Sequence, residues 1–148
     1  MEPSLEFSSK ITEFNEFSNF HISPFIVDGL EWKTVEHFFQ AQKFPTDKEL
    51  QEKIRVASNP VQAKRLGQTK TEHFRKDWEE SKEAVMLLAL RAKFGQNPKL
   101  TELLLSTGSR ELKEKAFWDS YWGSGRTGKG KNRMGVLLSQ VRNEAMKQ

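Results

Sequence analysis

The sequence contains no cysteine, which excludes a disulfide-stapled scaffold and any zinc or iron–sulfur site built on thiolates. No apolar run approaches the roughly 18 residues that a membrane-spanning helix needs. The opening stretch MEPSLEFSSK lacks the basic start and apolar run of a secretion signal. The expectation is a soluble, cytoplasmic protein with no membrane partner. Histidine is scarce, and His21, His37 and His73 show neither HxH nor HExxH spacing, so no metal is expected and each reads as structural or solvent-facing. No serine sits on a nucleophile elbow.

What is present fits one core. The chain has 148 residues, 36% of them apolar, close to the roughly 150 typical of one domain. A single domain over residues 1–148 is expected, since no repeat, linker or low-complexity tract divides it. The net charge of +4 is unevenly placed. From Arg110 to Gln148 there are nine basic and four acidic residues, so the whole excess lies in the C-terminal quarter. That local field favours an anionic ligand, either nucleic acid or a small phosphate, although a solvated basic face has the same composition.

The pattern is mainly helical, with a small β-hairpin near the N-terminus. Asp28-Gly29 between Phe25–Val27 and Leu30–Trp32 is a hairpin signal. Thr34 offers an N-cap for a helix over Val35–Phe44, which Pro45 ends. Further helices are expected over Lys48–Ala57, with Ile54 and Ala57 inward, over Val61–Leu66 with Gly67 as C-cap, and over Arg75–Phe94. In the last of these, Trp78, Val85, Leu88, Ala89 and Ala92 form the inner stripe. Leu100–Ser106 reads as a short helix and Glu111–Glu114 as a short strand. A loop over Phe117–Lys131 then precedes a final helix ending near Met146.

Two segments carry candidate chemistry. Five of the nine glycines fall between 123 and 135. Gly123–Lys129 fits GxxxxGK, but Gly130 stands where a P-loop needs Ser or Thr, and the GxGxxG match lacks its strand and βαβ setting. Neither named motif holds. Glycines that let backbone amides reach an anion, a following helix N-terminus, and Arg126, Lys129, Lys131 and Arg133 still suit a phosphate; a surface loop is the plainer reading. The second segment is the helix from Val35. At 100° per residue, Glu36, Gln40 and Lys43 fall within about 60° of one another. Phe39 and Phe44 flank that line, an aromatic frame able to shift both the Glu and the Lys pKa. An exposed polar face is the alternative. Trp118, Asp119 and Trp122 before the glycines suit a stacked ring and a carboxylate that handles a hydroxyl or a proton. Trp78 reads as core by default.

These segments, in this order, resemble the NADAR (YbiA-like) family. The resemblance rests on Phe17-Ser18-Asn19-Phe20, on Trp32-Lys33-Thr34-Val35-Glu36-His37-Phe38-Phe39-Gln40-Ala41-Gln42-Lys43-Phe44, and on Leu66-Gly67 and Asp77-Trp78. It continues through Asp119, Trp122-Gly123-Ser124-Gly125 and Gly128-Lys129-Gly130-Lys131-Asn132-Arg133-Met134-Gly135 to Val141-Arg142, and so covers about residues 10 to 142. One departure is Lys113–Trp118, where the family pattern is closer to a Glu-Ser-Pro turn before the Asp.

The resemblance implies a mainly helical domain and an N-glycosidase, an enzyme with no cofactor and no metal. Its reaction would cleave the C1–N bond between a base-like amine and a phosphorylated ribose. Two substrate classes follow: phosphoribosyl-amino-pyrimidine intermediates of riboflavin biosynthesis, or ADP-ribose on guanine in DNA. Glu36, Lys43 and Asp119 are the expected catalytic residues. Asn19, Phe20, Gln40, Trp78, Trp122, Gly123, Gly125, Lys131 and Asn132 are the expected substrate-binding ones. Glu36 can stabilise an oxocarbenium-like state or activate water. Alternatively, Lys43 with a lowered pKa attacks C1 and forms an imine, with Glu36 moving protons. The other class of function is an ADP-ribose or nucleotide-binding module without turnover. The aglycone, the oligomeric state and the biological context stay open.

Overall fold

The computed structural model describes residues 2–148. Its contacts group into two compact units, residues 22–93 and residues 2–21 with 94–148. Among the described residues no helix is long and apolar enough to cross a membrane.

The unit over residues 22–93 opens on the hairpin. Strands β1 (Phe25–Val27) and β2 (Leu30–Trp32) pair antiparallel, with Phe25 opposite Trp32. Asp28 and Gly29 both take positive φ, 51° and 80°, as a two-residue type I′ turn requires. Helix α1 (Val35–Ala41) follows, its Thr34 hydroxyl accepting the His37 amide as an N-cap. Helices α2 (Lys48–Arg55) and α3 (Pro60–Leu66) are capped by the Asp47 and Asn59 carboxyl and amide oxygens, and both pack on α1. Ile54 and Ala57 are buried as their spacing suggests. The core is aromatic: the Phe38 ring meets Trp32 edge-on at 5.2 Å and Phe25 at 6.1 Å. Helix α4 (Trp78–Gly95) begins three residues later than the spacing suggests.

The inner stripe of α4 is a correction. Leu88 is 46% exposed, whereas Trp78, Met86, Ala89, Leu90 and Lys93 are buried. The stripe runs 78, 82, 86, 89, 90, 93, and lysines stand at two of its positions. A pattern search that rejects Lys from a core face therefore slides onto the neighbouring one.

The other unit holds a two-stranded parallel sheet. Strand β3 (Leu112–Glu114) pairs with an N-terminal strand over Leu5–Phe7, Leu5 opposite Leu112. The strand over Leu5–Phe7 was not expected: three residues are too few for an alternation signal, and their partner lies more than a hundred residues away. Phe17 ends a short 3-10 turn (Asn15–Phe17), its ring 5.8 Å from Phe7 and 6.1 Å from Phe94. Helix α5 (Pro98–Leu105) and helix α6 (Arg133–Met146) pack together, and α6 also lies against β3. That last approach needs Gly135, where a Cβ would collide with the Leu112 carbonyl oxygen and the Asn132 side chain.

Arg142 of α6 is buried without a carboxylate partner. Its Nη1 donates to Thr107 Oγ1 at 2.8 Å and to the Arg110 carbonyl at 2.9 Å. The Thr107 hydroxyl in turn donates to the Leu104 carbonyl, so the cation faces the carbonyl end of α5. Burial lowers the guanidinium pKa. Arg142→Ala leaves this turn's acceptors unsatisfied and is expected to cost about 2–3 kcal/mol in urea unfolding. A loss under about 0.5 kcal/mol, the scale of ordinary surface changes, would show that the turn does not depend on Arg142.

Candidate functional site

Helix α1 is buried on every side, all seven residues from Val35 to Ala41, although Glu36, His37 and Gln40 are polar. A buried polar side chain must find a partner or weaken the fold. His37 does so in an ordinary structural way: Nδ1 faces the Thr34 hydroxyl at 2.8 Å and Nε2 the Ala57 carbonyl at 3.1 Å. A carbonyl only accepts, so Nε2 carries the proton and Nδ1 accepts from Thr34. Burial lowers the pKa of this ring and keeps it neutral. Residue 73 is different, with its imidazole 3.4 Å from Thr46 Oγ1 on the surface.

Glu36 and Gln40 are brought together. The Gln40 Nε2 donates to Glu36 Oε2 at 2.6 Å, a short bond of the charge-assisted kind. The other end of the Gln40 amide, Oε1, is buried with no hydrogen-bond partner.

Lys43 is reached differently from the expectation. The helix does not run to Phe44: its last i→i−4 bond is Gln42 N to the Phe38 carbonyl at 3.1 Å. Lys43 N then bonds the Gln40 carbonyl at 3.3 Å and Phe44 N the Ala41 carbonyl at 3.1 Å, in 3-10 fashion. Pro45 is the cause, since it drives the residue before it out of the α region. Lys43 therefore lies just past the helix end. Its carbonyl accepts the Arg75 amide at 2.8 Å, which fastens it to the chain entering α4. There Arg75 pairs with Asp77 at 2.7 Å, and the pair, with the Ser81 hydroxyl, holds the Asp77 carboxyl down at about 2.

Trp78 follows directly. Its ring lies 4.9 Å from Phe39 and 5.9 Å from Lys43 Nζ. Phe44, on the far side of Lys43 in sequence, is fully buried with Phe74 at 6.0 Å. The Lys43 amine is thus half-buried beside an aromatic face, and desolvation pulls its pKa below that of an ordinary lysine. Glu36 opposes that shift and Lys64 adds to it. Burial thus favours the neutral form of this amine, the form that can act as a nucleophile, while Glu36 favours the charged one.

The remaining candidates belong to the other unit. Asp119 Oδ1 accepts the amides of Tyr121 and Trp122, each at 2.9 Å, so this carboxylate folds the turn that presents both rings. The two rings meet edge-on at 5.0 Å, and Lys131 Nζ lies 5.4 Å from the Tyr121 ring. Tyr121 was not singled out from the sequence; being the chain's one tyrosine, two residues after an aspartate and just ahead of the glycines, was the available signal. Asn19 is buried and Phe20 half-buried after the 3-10 turn.

Part of the glycine loop is tied down by its own backbone. Gly130 N bonds the Ser124 carbonyl, Lys131 N that of Ser120, and Asn132 N that of Gly123. The first amides of α6, Arg133 and Met134, bond the Tyr121 and Trp122 carbonyls, each at 3.0 Å. The helix N-terminus expected to face an anion is thereby largely closed by the loop's own backbone. Gly123 and Gly130 supply the close approach this needs: a Cβ on Gly123 would sit 2.8 Å from Ala116 Cβ, and one on Gly130 2.7 Å from the Gly123 carbonyl. Gly125 supplies a positive φ of 70°. The Asn132 amide is also engaged, donating to the Leu112 carbonyl at 2.8 Å and accepting from Glu114 N at 2.9 Å. The segment also carries side-chain charge for an anion: Arg126, Lys129 and Lys131 are all exposed.

Comparison with known proteins gives these groups a context. The NADAR domain model matches residues 6–146. The Escherichia coli protein N-glycosidase YbiA is 47% identical over 140 residues, covering 95% of this chain and 87% of the relative. A riboflavin biosynthesis protein of Vibrio vulnificus is 39% identical over 144 residues, 97% of this chain but 39% of that longer protein. The NMR structure of the E. coli protein YbiA superposes with a TM-score of 0.89 at 46% identity, over 98% of this chain and 86% of that one.

The environment of Lys43 makes a prediction of its own. Its amine, followed by NMR of the isotopically labelled side chain, should titrate below the free-lysine value. Trp78→Ala lets water in and should raise that value; Glu36→Gln removes an opposing charge and should lower it further. Because the folded pKa lies below the unfolded one, the unfolded chain binds more protons between them. The cost of burying Lys43 is thus fully present below the folded pKa and fades as pH rises through that interval. A titration at the ordinary lysine value, unmoved by either substitution, would contradict this account.

Proposed function

The chain belongs to the NADAR family, and from that premise we propose that it is an N-glycosidase acting through an imine on Lys43. The bond cleaved joins C1 of a phosphorylated ribose to a base-like amine. The observation that carries this reading is the Lys43 amine: half-buried, lowered in pKa, facing the Trp78 ring and feeling the charge of Glu36.

The chemistry balances with these groups. A glycosylamine opens by passing its N–H proton to the ring oxygen, which leaves C1 doubly bonded to the base nitrogen. The neutral Lys43 amine adds to C1, and Glu36 carries the proton from Nζ to the base nitrogen. A second transfer along the same path expels the base as its free amine and leaves C1 joined to Lys43 as an imine. Water adds to C1, the imine hydrolyses, and the ribose aldehyde departs with Lys43 restored. One water is consumed and no redox partner is needed.

The other candidate residues take binding roles. Trp78 and Trp122 give planar faces for a base or ribose, and the open Asp119 oxygen suits ribose hydroxyls. Lys131, with Arg126 and Lys129, supplies charge for phosphate oxygens. The backbone at Gly123 and Gly125, with the Asn132 side chain on β3, holds that segment in shape, while Asn19 and Phe20 offer an amide and a ring to the substrate. The riboflavin-biosynthesis relative supports a phosphoribosyl-amino-pyrimidine as the substrate. A second class, ADP-ribose on guanine in DNA, is favoured by the exposed Phe117 and Trp118 with Lys10 at 5.4 Å from the Trp118 ring.

Base release from both substrates, with borohydride added during turnover, tests the reading. Borohydride should leave a secondary amine on Lys43, visible as a mass gain on its peptide. Lys43→Arg should abolish release and labelling, and Glu36→Gln should slow release by about 10²–10⁴-fold. Normal turnover by Lys43→Arg excludes the imine. Release from neither substrate points to a nucleotide-binding module without turnover.

A further inference from the structure

Gly67 ends α3 as its C-cap, a position where glycine usually serves a left-handed turn. Here it does not. Its φ is −66° and ψ −11°, an ordinary helical conformation open to any residue. Nor does a hydrogen bond call for glycine, since the Gly67 amide donates to the Ala63 carbonyl as any non-proline amide would. The reason lies across the interface between α1 and α3. A Cβ at position 67 would stand 2.9 Å from Gln40 Cβ and 2.7 Å from Gln40 Cδ, and closer still to Oε1. The whole length of the Gln40 side chain lies flat over the bare backbone at Gly67.

That packing fixes the amide that fixes the carboxylate. With its Oε1 side buried against Gly67, Gln40 has its Nε2 turned to Glu36 at 2.6 Å. We infer that Gly67 is a positioning residue for the reaction: the missing Cβ seats Gln40, and Gln40 holds the Glu36 carboxylate in the place and charge state from which it moves protons. Gly67 itself touches no substrate in this account. The inference rests on the proposed role of Glu36 and extends it by two links, to a residue 31 positions further along the chain.

The prediction separates positioning from folding. Gly67→Ala forces Gln40 out of its seat, and displacement of a catalytic group on the ångström scale costs of order 100-fold in kcat/KM. Glu36 also loses a donor to its ionised form, so the acid limb of the kcat/KM profile should move to higher pH. Gln40→Gly removes the three atoms nearest a Cβ at 67 and should show the same loss and the same displaced limb. Adding Gly67→Ala to Gln40→Gly should then change neither rate nor profile further, because the two act through one bond. Melting temperatures of all three variants, read alongside, report any loss of fold.

Three results bear on the idea. A displaced acid limb in both single variants, with no further effect in the double, supports it. If Gly67→Ala keeps the wild-type rate, or loses rate with the acid limb unmoved, Gly67 is only a packing residue and the inference fails. Glu36→Gln, assayed beside them, tells this failure from that of the functional reading. Full activity of Glu36→Gln overturns the role of Glu36, whereas an inactive Glu36→Gln with a normal Gly67→Ala overturns only the positioning of Gln40 by Gly67.

Discussion

A seven-residue helix buried on all sides is an unusual place for a carboxylate, an imidazole and an amide, and much of residues 22–93 answers to that constraint. Each polar group on α1 has to be accommodated within the packed interior, and residues of several elements take part. Thr34 at the helix start and the Ala57 carbonyl after α2 take His37. Gly67 at the end of α3 gives Gln40 its room, and Gln40 takes Glu36. The helices that pack on α1 therefore do more than cover apolar surface. The Ala57 carbonyl takes His37 and the bare Gly67 backbone seats Gln40, which in turn holds the Glu36 carboxylate in place. Such preorganisation is worth most where water is excluded, since no solvent then has to rearrange as charge moves.

Lys43 follows the opposite logic. The early end of α1, forced by Pro45, frees this residue from the helix, and the Arg75 amide ties its backbone to the start of α4. Its side chain is then left beside an aromatic face, where burial favours the neutral amine. Glu36 opposes this by stabilising the charged form. The two effects differ in reach: desolvation is set by packing and persists, while the influence of Glu36 changes each time it gains or loses a proton. Protonation of Glu36 removes the charge that favours ammonium, so a proton moved from lysine to carboxylate makes the amine less ready to take it back. Two transfers in succession, as imine exchange requires, benefit from that coupling.

Local signals were legible in the sequence and distant ones were not. Asp28-Gly29, the Thr34 cap and the buried Ile54 and Ala57 all act within a few residues, and the structure agrees with each. The strand over Leu5–Phe7 acquires meaning only from Leu112–Glu114, so periodicity cannot reveal it. The stripe of α4 was misplaced because Lys82 and Lys93 sit on the inner face, where long aliphatic stems fill space that a hydropathy pattern assigns to Leu. Glu36 and Gln40 were legible as a pair because i, i+4 spacing in a helix brings side chains together. That Gln40 needs a glycine 27 residues away was not, because nothing local distinguishes Gly67 from a C-cap glycine.

In the glycine-rich segment, composition points to a feature with more than one use. Flexible glycines with lysines between them suggest amides held open for an anion. In the structure the amides of Gly128, Gly130 and Lys131 bond carbonyls of the same segment, and several of the glycines serve close backbone approach or a positive φ. These bonds hold Tyr121, Trp122 and Lys131 in register with Asp119. The order of this segment thus comes from the Asp119 carboxylate and from backbone bonds between the segment's two ends, not from its glycines alone.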